Sequence, residues 1–307
     1  MTSTETGSII SLAKTNKNYK LNKITQYFGY ALVWACGFAA IAAVFWILGY
    51  VLSQGFQVIN YEFLFTRPAG GVSGEGGIST TVVSTVYLVV LTLVIATPLG
   101  VGAAVYLVEY AGDAVKESKL VAFLVQAARM GVEILAGVPS IVFGLFGFSL
   151  FVLYLKFGFS LLSASLSGAA LILPTIIRTS EEALLTVPRS YREGSLSLGA
   201  TRWHTIYSVV LPTAMPGIVT GIVLSVGRII AETAIFWVTL GGSFYLPQSI
   251  RHSGRSLALH VYMLASETRA FDKAMGTAAI LILTIIVLNL TINLVSRRLT
   301  KHISGKV

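Results

Sequence analysis

Long runs without charge dominate this chain and fix its class. They extend from Ile24 up to Glu62, from Gly76 to Val108, from Ile134 to Leu155, from Phe157 to Ile177, from Trp203 to Gly227 and from Ala274 to Ser296. Crossing ~30 Å of hydrocarbon takes an apolar helix of ~20 residues. Backbone groups in lipid must pair within their own segment, so such runs are helices rather than open sheet. The expectation is an all-α membrane protein with six transmembrane helices, at about 25–51, 78–108, 139–157, 163–180, 213–236 and 274–296. Composition agrees: the chain is 55% hydrophobic and 11% charged, where soluble domains carry about 25% charged residues.

The net charge of +9 invites a nucleic-acid reading, but its distribution excludes one. Lys14, Lys17, Lys20 and Lys23 precede the first run, and Lys116, Lys119 and Arg129 fall between the second and third. Arg178, Arg189, Arg192 and Arg202 lie between the fourth and fifth; Arg297, Arg298, Lys301 and Lys306 follow the sixth. The opposite side holds Arg67, Lys156, Arg251, Arg255, Arg269 and Lys273. Positive residues concentrate in the cytoplasm, so both termini are expected there. The basic excess is a topology signal and implies lipid, not nucleic acid, around the chain. Cys36, the sole cysteine, permits no intrachain disulfide and argues against a Cys-ligated metal. The first apolar run is too long for a signal-peptide core and follows a polar segment, so it reads as a retained helix.

Five segments follow. Residues 1–24 form a polar tail and 25–51 the first span. Residues 52–77 form an external loop whose RPAGGVSGEGG favours turns. Residues 78–298 form a core of five spans with an internal loop at 181–212, and 299–307 form a second tail. Pro98, followed by Gly100 and Gly102, predicts a kink or break in the second span. Residues 120–136 predict a helix near the inner interface, with Arg129 and Glu133 four apart on one face. An outer segment, 237–273, includes a partly helical LALHVYMLASE. Gly217 and Gly221 permit close approach of another helix, from a partner or from the same chain.

The internal loop has a polar helix–turn–helix signature. Tyr191–Leu198 lacks proline, Gly199 suits the left-handed residue that ends a helix, and Thr201 suits the N-cap of a helix starting at Arg202. Arg189, Arg192, Glu193 and Arg202 stay solvated, while Leu196, Leu198 and Trp203 give an apolar edge with a polar rim, the composition of a docking surface. The plainer alternative is an interfacial helix that only caps the bundle. Glu193-Gly194-Ser195, three residues, Gly199, nine residues, Val209, Val210, Leu211 and Pro212 resemble the EAA loop of ATP-binding-cassette (ABC) importer permeases, EAA–x3–G–x9–I–x–L–P. Gly194 replaces an alanine and weakens the helix by ~1 kcal/mol. The resemblance implies a MetI-like permease fold in a prokaryotic cytoplasmic (inner) membrane. It also implies an ATPase-docking role for Arg189, Arg192, Glu193, Gly194, Ser195, Leu198, Gly199, Ala200, Arg202 and Trp203.

GVPSIVFGLFGF (137–148), LPTIIRTSEEALLTVPRSYREGSLSLGATRW (173–203) and GIVLSVGRIIAETA (221–234) are similar to the phosphate-specific permeases. SLALHVYMLASE (256–267) is similar to their A-type (PstA-type) members rather than the C-type. The likeness covers roughly residues 75–298. It implies import of inorganic phosphate with ATP-binding ABC subunits (PstB-like), a second permease (PstC-like) and an external phosphate-binding protein (PstS-like). No G-x-x-x-x-G-K-[ST] phosphate loop occurs in the sequence. The chain is therefore expected to be non-catalytic and to bind no cofactor, with ATP used by the partner.

Arg228 and Glu232 are ionisable residues within an otherwise uncharged run. Such residues are costly in a span and usually face a partner, a cavity or a pathway. An arginine fork donates two parallel hydrogen bonds to an oxyanion, and an adjacent carboxylate keeps that binding weak enough for release. The resemblance links a similar pair to transport. The alternative is a structural i,i+4 pair joining helices. Physics alone does not separate phosphate from sulfate or molybdate. A secondary transporter or channel would need no ATPase and no Gly199 loop. A membrane enzyme ranks last, because no metal-ligand cluster or nucleophile motif occurs.

Overall fold

The structure, a computed structural model, describes residues 17–69, 74–112, 118–268 and 270–303. The polar tail to residue 16, part of the Gly-rich outer segment, most of the charged turn after the second span, Arg269 and residues 304–307 lie outside that set. Twelve helical segments are described. They are α1 (Lys17–Val58), α2 (Tyr61–Phe65), α3 (Ser79–Val105), α4 (Lys119–Gly137), α5 (Ser140–Gly147), α6 (Leu161–Leu185), α7 (Arg189–Ser197), α8 (Arg202–Thr205), α9 (Leu211–Ile230), α10 (Ala234–Thr239), α11 (Leu257–Glu267) and α12 (Phe271–Ile303). Wider π-helical turns extend α3 over Tyr106–Tyr110 and α5 over Phe148–Tyr154, and Ile206–Val210 joins α8 to α9. Among the described residues the only β pairing is two isolated bridges, Pro68–Gly76 and Gly241–Gly254.

The chain divides into two compact units, one ending at Ser53 and one starting at Gln54. The first is most of α1, whose aromatic side chains Trp34, Phe38, Phe45 and Trp46 are exposed. An evenly apolar helix of this kind is suited to lipid. The second unit is a bundle centred on α6. Its core joins Leu88 and Ala96 of α3, Phe143 of α5, Ile172 and Ile176 of α6, Val226 and Ile229 of α9, and Phe236 of α10.

Small residues set the packing. A side chain at Gly100 would lie 2.6 Å from Ile176, and one at Gly168 would meet Thr92 at 3.5 Å. These contacts advance together along both helices, so α3 and α6 run parallel. Gly217 abuts Ala183 and Gly221 abuts Thr179, so α9 runs antiparallel to α6. The glycine pair of α9 thus admits α6 of the same chain. Helices in lipid gain little from burying apolar surface and associate through such close contact and hydrogen bonds. Several buried hydroxyls turn back onto their own backbone, as Ser167 to the Ser163 carbonyl at 2.8 Å and Ser225 to the Gly221 carbonyl at 2.9 Å.

Among the described residues six helices are long and apolar enough to cross a membrane, and they differ from the expected set at the third. Lys119–Gly137 qualifies alone, whereas Ser140–Tyr154 is too short. Val138, extended at φ −73° and ψ 133°, is the residue before Pro139, where helical backbone is disfavoured. That proline divides the segment. Because α3 and α6 are parallel, residues 119–154 together make one net return across the bundle. Helix α3 passes through Pro98 without interruption. The proline removes one helix donor, but packing against α6 at Gly100 holds the segment in place, and the departure from α geometry falls later, at Tyr106–Tyr110. Helix α9 stops at Ile230 and the chain resumes helix only at Ala234, so the expected fifth span is broken near its end.

Candidate docking helix and pathway residues

Pro188 starts α7 and Gly199 ends it. Gly199 has φ +84°, a conformation that a Cβ would strain. Its N–H donates to the Leu196 carbonyl at 3.0 Å, and the Ala200 N–H donates to the Ser195 carbonyl at 3.3 Å. This pair of bonds is the Schellman closure of a helix C-terminus. The Thr201 hydroxyl then accepts the His204 N–H at 3.3 Å and caps α8. The glycine turn and the threonine cap stand where the sequence puts them.

Helix α7 buries none of its residues. Arg189, Glu193, Gly194 and Trp203 are exposed, and Leu198 is 89% exposed. Ser195 and Ala200 are half-buried, and the Ser195 hydroxyl meets that of Thr205 at 2.9 Å. An apolar edge this open on a polar helix is costly to leave in water.

Arg192 turns inward instead. Its Nη2 lies 2.6 Å and its Nε 3.0 Å from Glu109 Oε1. The same guanidinium donates to the Val187 carbonyl at 2.7 Å and the Leu184 carbonyl at 2.9 Å. A cation over the last carbonyls of α6 satisfies acceptors that the helix leaves open. Arg202 donates to the Glu109 backbone carbonyl and stands 5.0 Å over the Tyr110 ring. Arg192 and Arg202 therefore knit the loop to the ends of α3 and α6. Sequence reading missed Glu109. Its sole signal is a carboxylate closing an apolar run, and its partner lies 83 residues away.

Arg228 and Glu232 do not share a helix. Arg228 is in the last turn of α9, while Glu232 follows the break and accepts the Ile235 N–H at 3.2 Å. Each charge complements the dipole of the helix end beside it. No ion pair within 4.0 Å joins them, whereas Arg129–Glu181, Arg178–Glu182 and Arg192–Glu109 do form such pairs. The alternative of a structural i,i+4 pair is not formed, because α9 ends between the two residues. Irregular backbone at membrane depth persists only where protein or a polar cavity supplies its hydrogen bonds.

Other charges also differ from expectation. Arg129 pairs with Glu181 at 3.6 Å and donates to the Leu107 carbonyl, not with Glu133. Arg255, outside the spans, is buried; it donates twice to the Gly242 carbonyl, lies 4.1 Å over Phe244 and reaches His260 Nδ1 at 3.2 Å. Arginine only donates, so Nδ1 accepts and the neutral ring carries its proton on Nε2. Burial, and then the Arg255 charge, lower the His260 pKa to about 3. Among the described residues no cluster of three His, Cys, Asp or Glu is placed to hold a metal.

These features define a class: a multi-pass helical membrane subunit with an exposed interfacial helix at its span ends. The model of the family described as "binding-protein-dependent transport system inner membrane component" matches residues 96–305, and the chain belongs to that family. The probable ABC transporter permease protein YqgI of Bacillus subtilis is 30% identical over 87% of this chain and 94% of its own. The phosphate transport system permease protein PstA 1 of Mycobacterium tuberculosis (strain CDC 1551 / Oshkosh) is 36% identical over 82% of each chain. A bacterial alginate ABC transporter, solved with its alginate-bound periplasmic protein, superimposes with a TM-score of 0.65 at 16% identity, over 93% of this chain and 99% of that one.

Proposed function

We propose that this chain is the permease subunit of an ATP-driven importer of inorganic phosphate. It forms the translocation pathway with a second, PstC-like permease, takes solute from an external PstS-like binding protein, and couples to separate PstB-like ATPase subunits that hydrolyse the ATP. Both termini lie in the cytoplasm with α7. The carrying observation is α7 itself, a nine-residue helix with an open apolar edge and a charged anchor to the bundle. That geometry suits a surface that receives force from a partner.

The physical event is alternating access. Closure of the ATPase pair pushes α7, and the bundle shifts between outward and inward openings around a path near the α9–α10 break. Arg228 offsets part of the cost of dehydrating an oxyanion, and Glu232, fixed by the Ile235 N–H, opposes over-tight binding. Phosphate is the solute named for the M. tuberculosis relative, and an arginine fork suits it.

The test is uptake into proteoliposomes holding this chain with its second permease, ATPase and binding protein. Phosphate uptake that needs hydrolysable ATP and ignores sulfate supports the reading; ATP-dependent uptake of sulfate alone replaces the solute, and uptake indifferent to ATP removes the class. Arg228→Gln is expected to abolish uptake with assembly intact, and full uptake by that variant would sink its pathway role. Trp203→Glu is expected to weaken ATPase binding on pull-down.

A further inference from the structure

We propose that the Glu109–Arg192 ion pair is the mechanical link of this transporter, making α7 move as one body with the inner ends of α3 and α6. The inference rests on the docking reading of α7 and adds how force leaves that helix.

Helix α7 has little else to hold it. None of its residues is buried, and a cavity of about 300 Å³ lies beneath it, lined by Glu109, Arg192, Leu196, Arg202, Thr205 and Ile206. Apolar packing across an open gap transmits little. The helix is also bounded by two places where the backbone turns, Pro188 and the left-handed Gly199. A push on α7 alone would tilt it about those ends.

The fork of Arg192 bridges the gap. One guanidinium holds the Glu109 carboxylate of the α3 extension and the Leu184 and Val187 carbonyls at the end of α6. The side chains are only 19% and 9% exposed, so water and salt screen the pair less than a surface pair. Arg202 grips the backbone of the same Glu109. Glu109 lies within one π-helical turn, Tyr106–Tyr110, and Arg202 precedes another, Ile206–Val210. Such wide turns recur where helices serve a function. The load therefore reaches α3 and α6, two parallel helices of the core, through one guanidinium.

The experiment uses the reconstituted complex. In Glu109→Gln, ATPase binding and ATP turnover are expected to stay near wild type, while phosphate taken up per ATP falls about tenfold or more. Arg192→Lys keeps the charge but loses the fork that serves three acceptors, so it is expected to uncouple as well. Unchanged uptake per ATP in assembled variants would overturn the link. Should the variants fail to assemble, spin labels decide in the otherwise native complex. With the exposed Cys36 changed to Ser, labels at Ser197→Cys and Gly112→Cys are expected to keep their separation within about 2 Å on ATP binding; a larger change means that α7 moves independently and removes the proposal. Failure of the docking reading is seen apart from this, as Trp203→Glu leaving the ATPase bound.

Discussion

Beside Arg255, His260 stays neutral far below the pH at which an exposed histidine protonates. Its pKa of about 3 reflects burial first and the arginine charge second. Between about pH 6.5, where an unfolded histidine titrates, and pH 3, the unfolded chain binds a proton that the folded chain refuses. Stability is therefore fully present above that window and falls as pH drops through it. Thermal unfolding in detergent at pH 7 and pH 4.5 is expected to show a larger acid loss for the wild type than for His260→Asn. An equal loss in both would remove the assignment. The sequence leaves His260 as a surface or packing residue and gives no sign that Arg255 meets it, because the pairing depends on the Gly242 turn folding back. Glu109 and Arg192 are hidden for the same reason. Gly199 and Thr201 are legible because the conformations they favour are local properties.

Elements follow the sequence closely where periodicity and length decide, and depart where backbone geometry intervenes. Apolar length announces α1, α3, α6, α9 and α12. The partition at Pro139 is legible, as a helix over 120–136 and a separate segment from 139, but which side is long enough to cross is not, and neither is the stop at Ile230, which no glycine or proline marks. Helix α7 carries one local weakness that the structure isolates. Gly194 lies mid-helix, and a Cβ there meets nothing within 4 Å. Gly194→Ala is therefore expected to stabilise α7 by up to ~1 kcal/mol, read as slower amide exchange at Arg192–Ser197 with ATPase binding retained. Faster exchange would mean that the glycine serves a conformation other than this helix.

At the scale of the molecule, the directions of the helices decide what charge counts only suggest. With α3 parallel to α6 and α9 antiparallel, α7 and the turn at Lys156 fall at opposite ends of the bundle. In a Cys36→Ser background, a membrane-impermeant thiol reagent is expected to label Lys156→Cys in intact cells and Ser197→Cys only after permeabilisation; the reverse pattern would invert the proposed orientation. The clamp beneath α7 also orders the birth of the protein. Glu109 leaves the ribosome 83 residues ahead of Arg192, a delay of about 4–17 s at ordinary synthesis rates of 5–20 residues per second. Through that interval the carboxylate has no guanidinium to meet, and α7 has no anchor. A chain truncated in its first half, or stalled before Arg192, carries its early helices into lipid without the anchored platform on which an ATPase would settle. The anchor of α7 is thus complete only once 83 residues of chain have followed Glu109.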